Sequence, residues 1–316
     1  MVKYTIKRLL QSLVTVLIVV TVVFLLMRML PIENFFTEDQ LMKFTEEQKH
    51  DALEAAGMLD SIPEQLVRYY GQLLHGDLGE SRRIQSGQPV TAVIGQRFTV
   101  SMRIGIISLV ISLILGVTLG ILQARHKDKV VDHLGTAYTI FVNALPPPVS
   151  YPLLLVFGAL VLDFPATYST RNPGISSVLP VVCLALASTA SYALWTRRYM
   201  VDEINKDYIK LARVKGMSSK SIMVKHVLRN AFVPLAQYLP ASFLLTIGGS
   251  LLVERFFSVP GMGPLLTDAI GKYDTNVVQA LVILYAALGI LGVFLGDVLM
   301  MIIDPRITLA DKGGTR

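Results

Sequence analysis

Six times along this chain the apolar residues run on longer than a buried core helix requires. The runs are Leu9–Leu30, Val100–Ala124, His133–Leu162, Ile175–Thr196, Phe232–Val253 and Val277–Ile303. A hydrocarbon core is crossed by about 20 residues of helix, and no open sheet edge or irregular backbone survives against lipid. Only 16% of the 316 residues are charged and mean hydropathy is +0.55, where a soluble domain carries about 25% charge. The chain therefore reads as an all-α integral membrane protein. Its first run lacks the short apolar core and small-residue cleavage site of a secretory signal, so it is expected to be a retained first helix. Cys183 is the one cysteine, which excludes an intrachain disulfide.

Between the runs the sequence is informative in four places. Pro31 to Thr99 is polar, with eleven acids against six bases. Helices are expected at Thr45–Gly57 and Gln65–Leu74, stopped at Gly57 and Gly76. In the second run, Gly116-x-x-x-Gly120 has the spacing of close helix contact in membranes and is read as packing. In the third, Pro146, Pro147, Pro148 and Pro152 remove backbone donors. They mark either a packing kink or, favoured here because consecutive prolines are a large perturbation, a broken helix beside a translocation path. After the fifth run, Gly248-Gly249-Ser250 should thin the helix and the Pro-Gly and Gly-Pro pairs of 260–264 imply tight turns. Glu254 sits there with two readings, a solvated interface acid or a substrate or partner contact. Asp297 is the one acid inside a run, so a partner or a water-filled cavity is expected beside it.

The segment Asp207–Pro234 is too polar for lipid and carries six bases against one acid. Tyr208, Leu211 and Ala212 recur at helical spacing, Gly216 suits a left-handed helix stop, and Ser218 or Ser219 can cap a second helix bearing Ile222, Met223, His226 and Val227. Such a basic helix-Gly-helix element either fixes topology or docks a partner through an apolar face. By the positive-inside rule, an inner N-terminus places eighteen Lys and Arg inside and nine outside, so both termini and this segment are expected in the cytoplasm.

Ala212-Arg213-Val214-Lys215-Gly216, with His226-Val227-Leu228-Arg229-Asn230-Ala231 and Pro234, resembles the ATPase-docking cytoplasmic loop of ABC-importer permeases, nearest to the oligopeptide, dipeptide and nickel branch. Lys210-Leu211-Ala212 stands where the family's Glu-Ala-Ala usually is, and Pro234 lies further from Gly216 than in other branches. Gly76-Asp77-Leu78-Gly79-Glu80-Ser81, the run Glu254-x-x-Phe257-x-x-Pro260-Gly261-x-Gly263, Leu30-Pro31 and the ending Asp304-Pro305-Arg306 are similar to the same branch, although Ile32-Glu33-Asn34 replaces its usual Gly-Asp-Pro. The resemblance is greatest to the first, B-type, oligopeptide permease subunit.

That resemblance implies the six-helix type I importer permease fold with an extracellular helical insertion between spans 1 and 2. It divides the chain into 1–30 (N-terminal tail and span 1), 31–99 (external domain), 100–303 (permease core with its coupling loop at 197–231) and a cytoplasmic tail at 304–316. It implies a bacterial cell-membrane location. It also implies a second homologous permease, two cytoplasmic ATPases and an extracellular substrate-binding protein as partners, besides membrane lipid. Asp207, Tyr208, Leu211, Ala212, Lys215, Gly216, His226, Arg229 and Asn230 are expected to couple to the ATPases. Ala212 is expected to face them, with Tyr208 and Leu211. Pro146, Pro147, Pro148, Glu254 and Asp297 are candidates for the path. No cofactor is expected in this chain. ATP and Mg would act in the partner ATPases, because Gly263 to Gly271-Lys272 has seven residues between its glycines where a phosphate loop has four, and Tyr273 follows where that loop needs Ser or Thr. There is no His-Glu-x-x-His run, and nothing asks for nucleic acid. The rival reading is a stand-alone channel or secondary transporter, which usually carries several ionisable groups in its spans. The expected cargo is peptide, with dipeptide or nickel chelate as alternatives.

Overall fold

The computed structural model describes Val2 to Ile303; the tail 304–316 and the ending Asp304-Pro305-Arg306 lie outside the described residues. Helix α1 is Val2–Arg28, followed by a 3-10 turn (Ile32–Phe35) and the short helices α2 (Glu38–Lys43), α3 (Glu46–Ala55) and α4 (Ile62–Leu74). A two-stranded antiparallel ladder, β1 (Glu80–Ser81) with β2 (Gln88–Pro89), leads into α5 (Val90–Arg125). Then come α6 (Val130–Ala144), α7 (Pro147–Leu160), α8 (Pro173–Ser176) and α9 (Val178–Ile204). The linker helices α10 (Asp207–Val214) and α11 (Ser219–Ile222) precede a π turn (Met223–Leu228) and α12 (Arg229–Ile247). Helices α13 (Leu251–Phe256), α14 (Met262–Gly271) and α15 (Thr275–Ile303) complete the described chain.

The centre of the bundle is the pair α5–α9. A Cβ on Gly116 would meet the Thr189 carbonyl at 2.8 Å, and one on Gly120 the Ala193 carbonyl at 2.7 Å. Higher up, the buried Ser108 hydroxyl donates to the Val181 carbonyl at 3.3 Å, a separation of 73 residues. The two glycine contacts keep that same offset, so the helices run parallel. A parallel pair in a membrane has to be joined by a segment that crosses back. The descent of contacts along α9 traces it: Asp132 pairs with Arg197, the Tyr138 hydroxyl donates to the Leu186 carbonyl at 3.0 Å, and Gly158 packs on Leu179. Helices α6 and α7 are thus two halves of one crossing, bent by 110°. The bend falls at Leu145 and Pro146, both extended, with Pro147 and Pro148 opening α7 in its first turn, where missing N–H groups cost nothing. With this pair counted once, the chain makes six crossings.

Helix α15 runs antiparallel to α12 and α1. Gly292 lies against Ala241 and Gly296 against the Gln237 carbonyl, while Arg8 reaches Asp297 at 3.1 Å and Met27 packs near Val278 and Leu281. All six crossings therefore share one orientation frame. The start of α1, the 126–129 turn, the α9–α12 linker and the end of α15 lie on one face; residues 29–89, 161–177 and 248–274 lie on the other.

The outer helices follow their caps. Thr45 and Ser61 each form a capping box, and Gly57 and Gly76 stop α3 and α4 with positive φ of 63° and 74°. Helix α4 begins three residues before Gln65. Span 2 begins at Val90, ten residues before the expected Val100, because Val90, Val93 and Ile94 bury against Met262, Leu265 and Leu281. The fifth crossing also departs from expectation. Gly248-Gly249-Ser250 breaks it, with Gly249 at φ 98°, and the chain re-enters helix as α13. The tight turns expected at 260–264 are followed by a ten-residue helix, α14.

Gly120 gives the sharpest test of this core. Gly120→Val should lower thermal stability by about 1–3 kcal/mol or prevent folding, because its side chain meets backbone. Gly71→Ala, at a helical site with nothing within 4 Å, should raise stability by up to about 1 kcal/mol. Thermal unfolding of the two purified variants compares them directly.

Candidate functional site

The basic linker on the N-terminal face is built around one buried acid. Helix α10 ends at Gly216, whose φ is +76°. The Gly216 N–H reaches the Arg213 carbonyl at 2.9 Å and the Met217 N–H the Ala212 carbonyl at 3.2 Å, the paired bonds of a Schellman stop. No neighbour lies within 4 Å of a Cβ placed on Gly216, so it is backbone angle and not space that requires glycine there. Ser218 then caps α11, accepting from the Ser221 N–H at 3.3 Å. This second linker helix does not stop: it passes through the π turn straight into α12.

Ile209 and Ala212 form the inward face of α10, packed with Ala124, Met200, Ile222, Val227 and Ala231. Ala212 is 7% exposed, which corrects the expectation that it faces a partner. The reason is angular: Ala212 lies one turn on from Ile209 and shares its stripe, while Leu211 points away. The outward stripe is Tyr208, Leu211 and Val214, at 37%, 54% and 85% exposure. Lys215 and Arg229 are exposed beside it, and Asp207 makes a surface pair with Lys210.

Beneath that stripe lies Glu203, the last acid of α9, only 6% exposed. It accepts from the Tyr208 hydroxyl and from Asn230 Nδ2 at 3.2 Å, and pairs with Lys206 at 2.6 Å. Asn230 also donates to the Tyr208 oxygen at 2.7 Å, and the His226 ring contacts the Tyr208 ring edge-on. Burial, with the Glu203 carboxylate adding to it, pushes the Tyr208 phenol up to about 12, so it stays a donor at neutral pH. Tyr208, His226 and Asn230 are thus brought together beside Glu203. Glu203 was missed because it reads as a span-end charge; its signal is that it stands five residues before Tyr208, across the α9–α10 turn.

The path candidates separate. Pro146, Pro147 and Pro148 are exposed at the break in the third crossing. Glu254 is 1% exposed, which corrects the reading of it as a solvated interface acid. Because α13 folds back after Gly249, its carboxylate accepts from the Ser250 N–H at 3.2 Å and the Gly263 N–H at 2.9 Å and fastens the outer loop. Asp297 has the expected partner, but that partner is Arg8, with Gln237 donating at 3.1 Å. It clamps α1, α12 and α15. A third acid passed unnoticed in the sequence. Asp274 is fully buried, and its Oδ2 accepts from Ser81 Oγ at 2.6 Å and from the N–H groups of Arg82, Arg83 and Ile84 at 2.9–3.1 Å. It moors the outer domain to the start of α15.

The family described as "Binding-protein-dependent transport system inner membrane component" matches residues 116–309, which include the linker, the proline break and the Gly-Gly break. The chain belongs to this family. It is 32% identical over 311 residues to the dipeptide transport system permease protein DppB of Lactococcus lactis, covering 98% of this chain and all of that protein. It is 31% identical to the oligopeptide transport system permease protein OppB of Escherichia coli, over 97% of this chain and 99% of that one. It is 39% identical to the oligopeptide transport system permease protein AmiC of Streptococcus pneumoniae, but over 212 residues and 42% of that protein. The resemblance read from the motifs is borne out: this is an ABC-importer permease of the peptide branch.

The permease linker predicts its own response to a single atom. Tyr208→Phe removes the hydroxyl shared by Glu203 and Asn230 and leaves a buried carboxylate short of a donor, at a cost of about 1–3 kcal/mol. Hydrogen exchange across 203–218 should accelerate correspondingly. Lys210→Ala, which breaks an exposed pair, should leave exchange nearly unchanged.

Proposed function

We propose that this permease forms half of a peptide translocation path and is driven through the α10 stripe by a cytoplasmic ATPase. The observation that carries the reading is the Tyr208–Leu211–Val214 stripe. It is apolar, exposed and surrounded by Lys210, Arg213 and Lys215, yet the opposite face of the same helix is sealed onto α9 and α12. An exposed apolar stripe on a helix so firmly held fits a groove on a partner. A positive loop that merely fixed topology would need neither the stripe nor the Glu203 network.

The rest of the assembly follows as part of the same proposal. The basic face is cytoplasmic, with both termini there. Two ATPases supply ATP and Mg chemistry, so this chain is no enzyme and needs no cofactor. A second homologous permease covers the broken α6–α7 crossing, where Phe141, Leu153 and Phe157 are more than half exposed, and lipid covers the remaining apolar surface. An extracellular binding protein delivers the cargo to the outer face. Peptide is the cargo proposed, from the named roles of the relatives, with dipeptide or nickel chelate behind it. A stand-alone secondary transporter is less well supported, because Asp132, Glu254 and Asp297 are each consumed by fixed partners and are not free to titrate along a path.

Two measurements test this. Leu211→Glu and Val214→Glu should insert and fold normally but reduce ATPase co-purification and peptide uptake by tenfold or more. Ala212→Glu should instead loosen the linker itself, because its site is buried. Wild-type association in both stripe variants would reduce the loop to a topological anchor. For orientation, single cysteines at the exposed Ser86 and Ser219, in a Cys183→Ser background, should be labelled from opposite sides of the membrane. Labelling of both by an impermeant external reagent would overturn the six-span arrangement.

A further inference from the structure

Between the outer helices and the tops of α1 and α15 lies a cleft of about 760 Å³, within the usual range for small-ligand sites of roughly 300–1,000 Å³. It is walled by apolar groups, including Phe24, Met27 and Tyr69, and by an unusual set of polar ones. Three arginines line it, Arg28, Arg68 and Arg82, with three carboxylates, Asp60, Asp77 and Glu80. Arg68 is neutralised by Asp60. Arg28 lies over the Phe24 ring, and Arg82 over the Phe35 ring with one N–H on the Phe35 carbonyl. Neither has a carboxylate in ion-pair contact among the described residues. They also lie near enough to repel: Arg82 is lowered by burial first and, against the pull of Asp274 and Glu80, further by Arg28.

Two buried amides line the same cleft. Gln65, 7% exposed, spends its Nε2 on the Met58 and Asp60 carbonyls, and its Oε1 has no partner among the described residues. Gln279, 8% exposed, has an Nε2 in the same position. A buried polar atom without a partner is unfavourable, and the lining of this one cleft carries an unpartnered acceptor and an unpartnered donor besides Arg28 and Arg82. A phosphate or a lipid ester offers acceptors only. A peptide offers an N–H for Gln65, a C=O for Gln279 and a carboxylate for Arg28 and Arg82, and guanidinium binds carboxylate in paired hydrogen bonds.

We propose that this cleft is a peptide site on the outer face, reading the free terminal carboxylate through Arg28 and Arg82 and one peptide group through Gln65 and Gln279. It is separate from the translocation path and rests on the reading of this chain as a peptide permease. Because the cleft joins the outer domain to α15 beside the Asp274 mooring, an occupied site braces the two against each other.

The test uses the full chain in phosphatidylcholine nanodiscs, titrated calorimetrically with tetra-alanine and with its C-terminal amide. The acid should bind saturably and the amide at least tenfold more weakly. Arg28→Gln and Arg82→Gln should each weaken the acid tenfold or more and abolish the preference. Arg82→Gln also loses the Phe35 contact, so Gln279→Met provides the independent check: it removes an unpartnered amide, should hold or raise thermal stability, and should weaken both ligands about threefold. Equal affinity for acid and amide, or wild-type binding by Arg28→Gln and Gln279→Met, would overturn the site. So would loss of the peptide signal in phosphatidylglycerol discs, which would make it a headgroup site. Peptide uptake by the assembled importer is read alongside: uptake without binding at the cleft overturns this site and leaves the importer reading intact, whereas binding without uptake supports the site and counts against peptide import.

Discussion

The backbone contact between α5 and α9 decides the topology of this permease. Gly116 and Gly120 allow α5 to lie against the carbonyls of Thr189 and Ala193, an approach that any side chain would prevent. In lipid, where apolar burial gives little force between helices, such close packing is a main source of association. Two parallel helices held this closely impose a return crossing on the 126–172 segment. That crossing is the one broken by prolines, so the most rigid pair and the most interrupted span are consequences of the same chain path. The interruption falls on the exposed side of the bundle.

Around that pair the acids act as fasteners. Asp132 joins α6 to α9, Glu203 joins α9 to α10 and α12, Glu254 closes the outer loop onto α13, Asp274 moors the outer domain, and Asp297 draws α1 to α15. Each is less than a tenth exposed. Removing one partner of such a pair leaves a buried charge uncompensated, at about 3–5 kcal/mol, so each fastener resists separation of the elements it joins.

What the sequence made legible was whatever is periodic or backbone-determined. Span positions follow from apolar runs, the Schellman stop from Gly216, the packing of α5 from two glycines, and the ends of α3 and α4 from Gly57 and Gly76. The misreadings concern the direction in which a side chain faces. Ala212 and Leu211 are neighbours in sequence, and a short helix gives too few turns to tell the buried stripe from the free one; only the contact of Ile209 with Met200 and Ala124 decides it. Glu254 and Asp274 depend on partners 9 and about 190 residues away, a distance over which pattern carries no information. The break at Gly249 was read as thinning because periodicity resumes immediately after it.

The linker and the fifth span form one continuous helical element, the route by which the proposed ATPase stroke would reach the outer face. From Ser219 the backbone stays helical through the π turn to Ile247, so a displacement of α10 carried by the Glu203–Tyr208–Asn230 contacts enters α12 at its first residues. The π turn and the missing N–H groups of Pro234 and Pro240 make this helix able to bend, since each frees a carbonyl from the ladder. Its other end is Gly248-Gly249, where a positive φ separates α12 from α13 and where Glu254 holds α13 to the outer loop. Motion entering at Asn230 therefore has a flexible shaft and a defined far joint, while α5–α9 and the Asp297 clamp hold the surrounding helices still. A coupling surface on a detached loop would dissipate such a displacement; the sealed inner face of α10, Ala212 included, is what would let the exposed stripe transmit it under the proposed coupling.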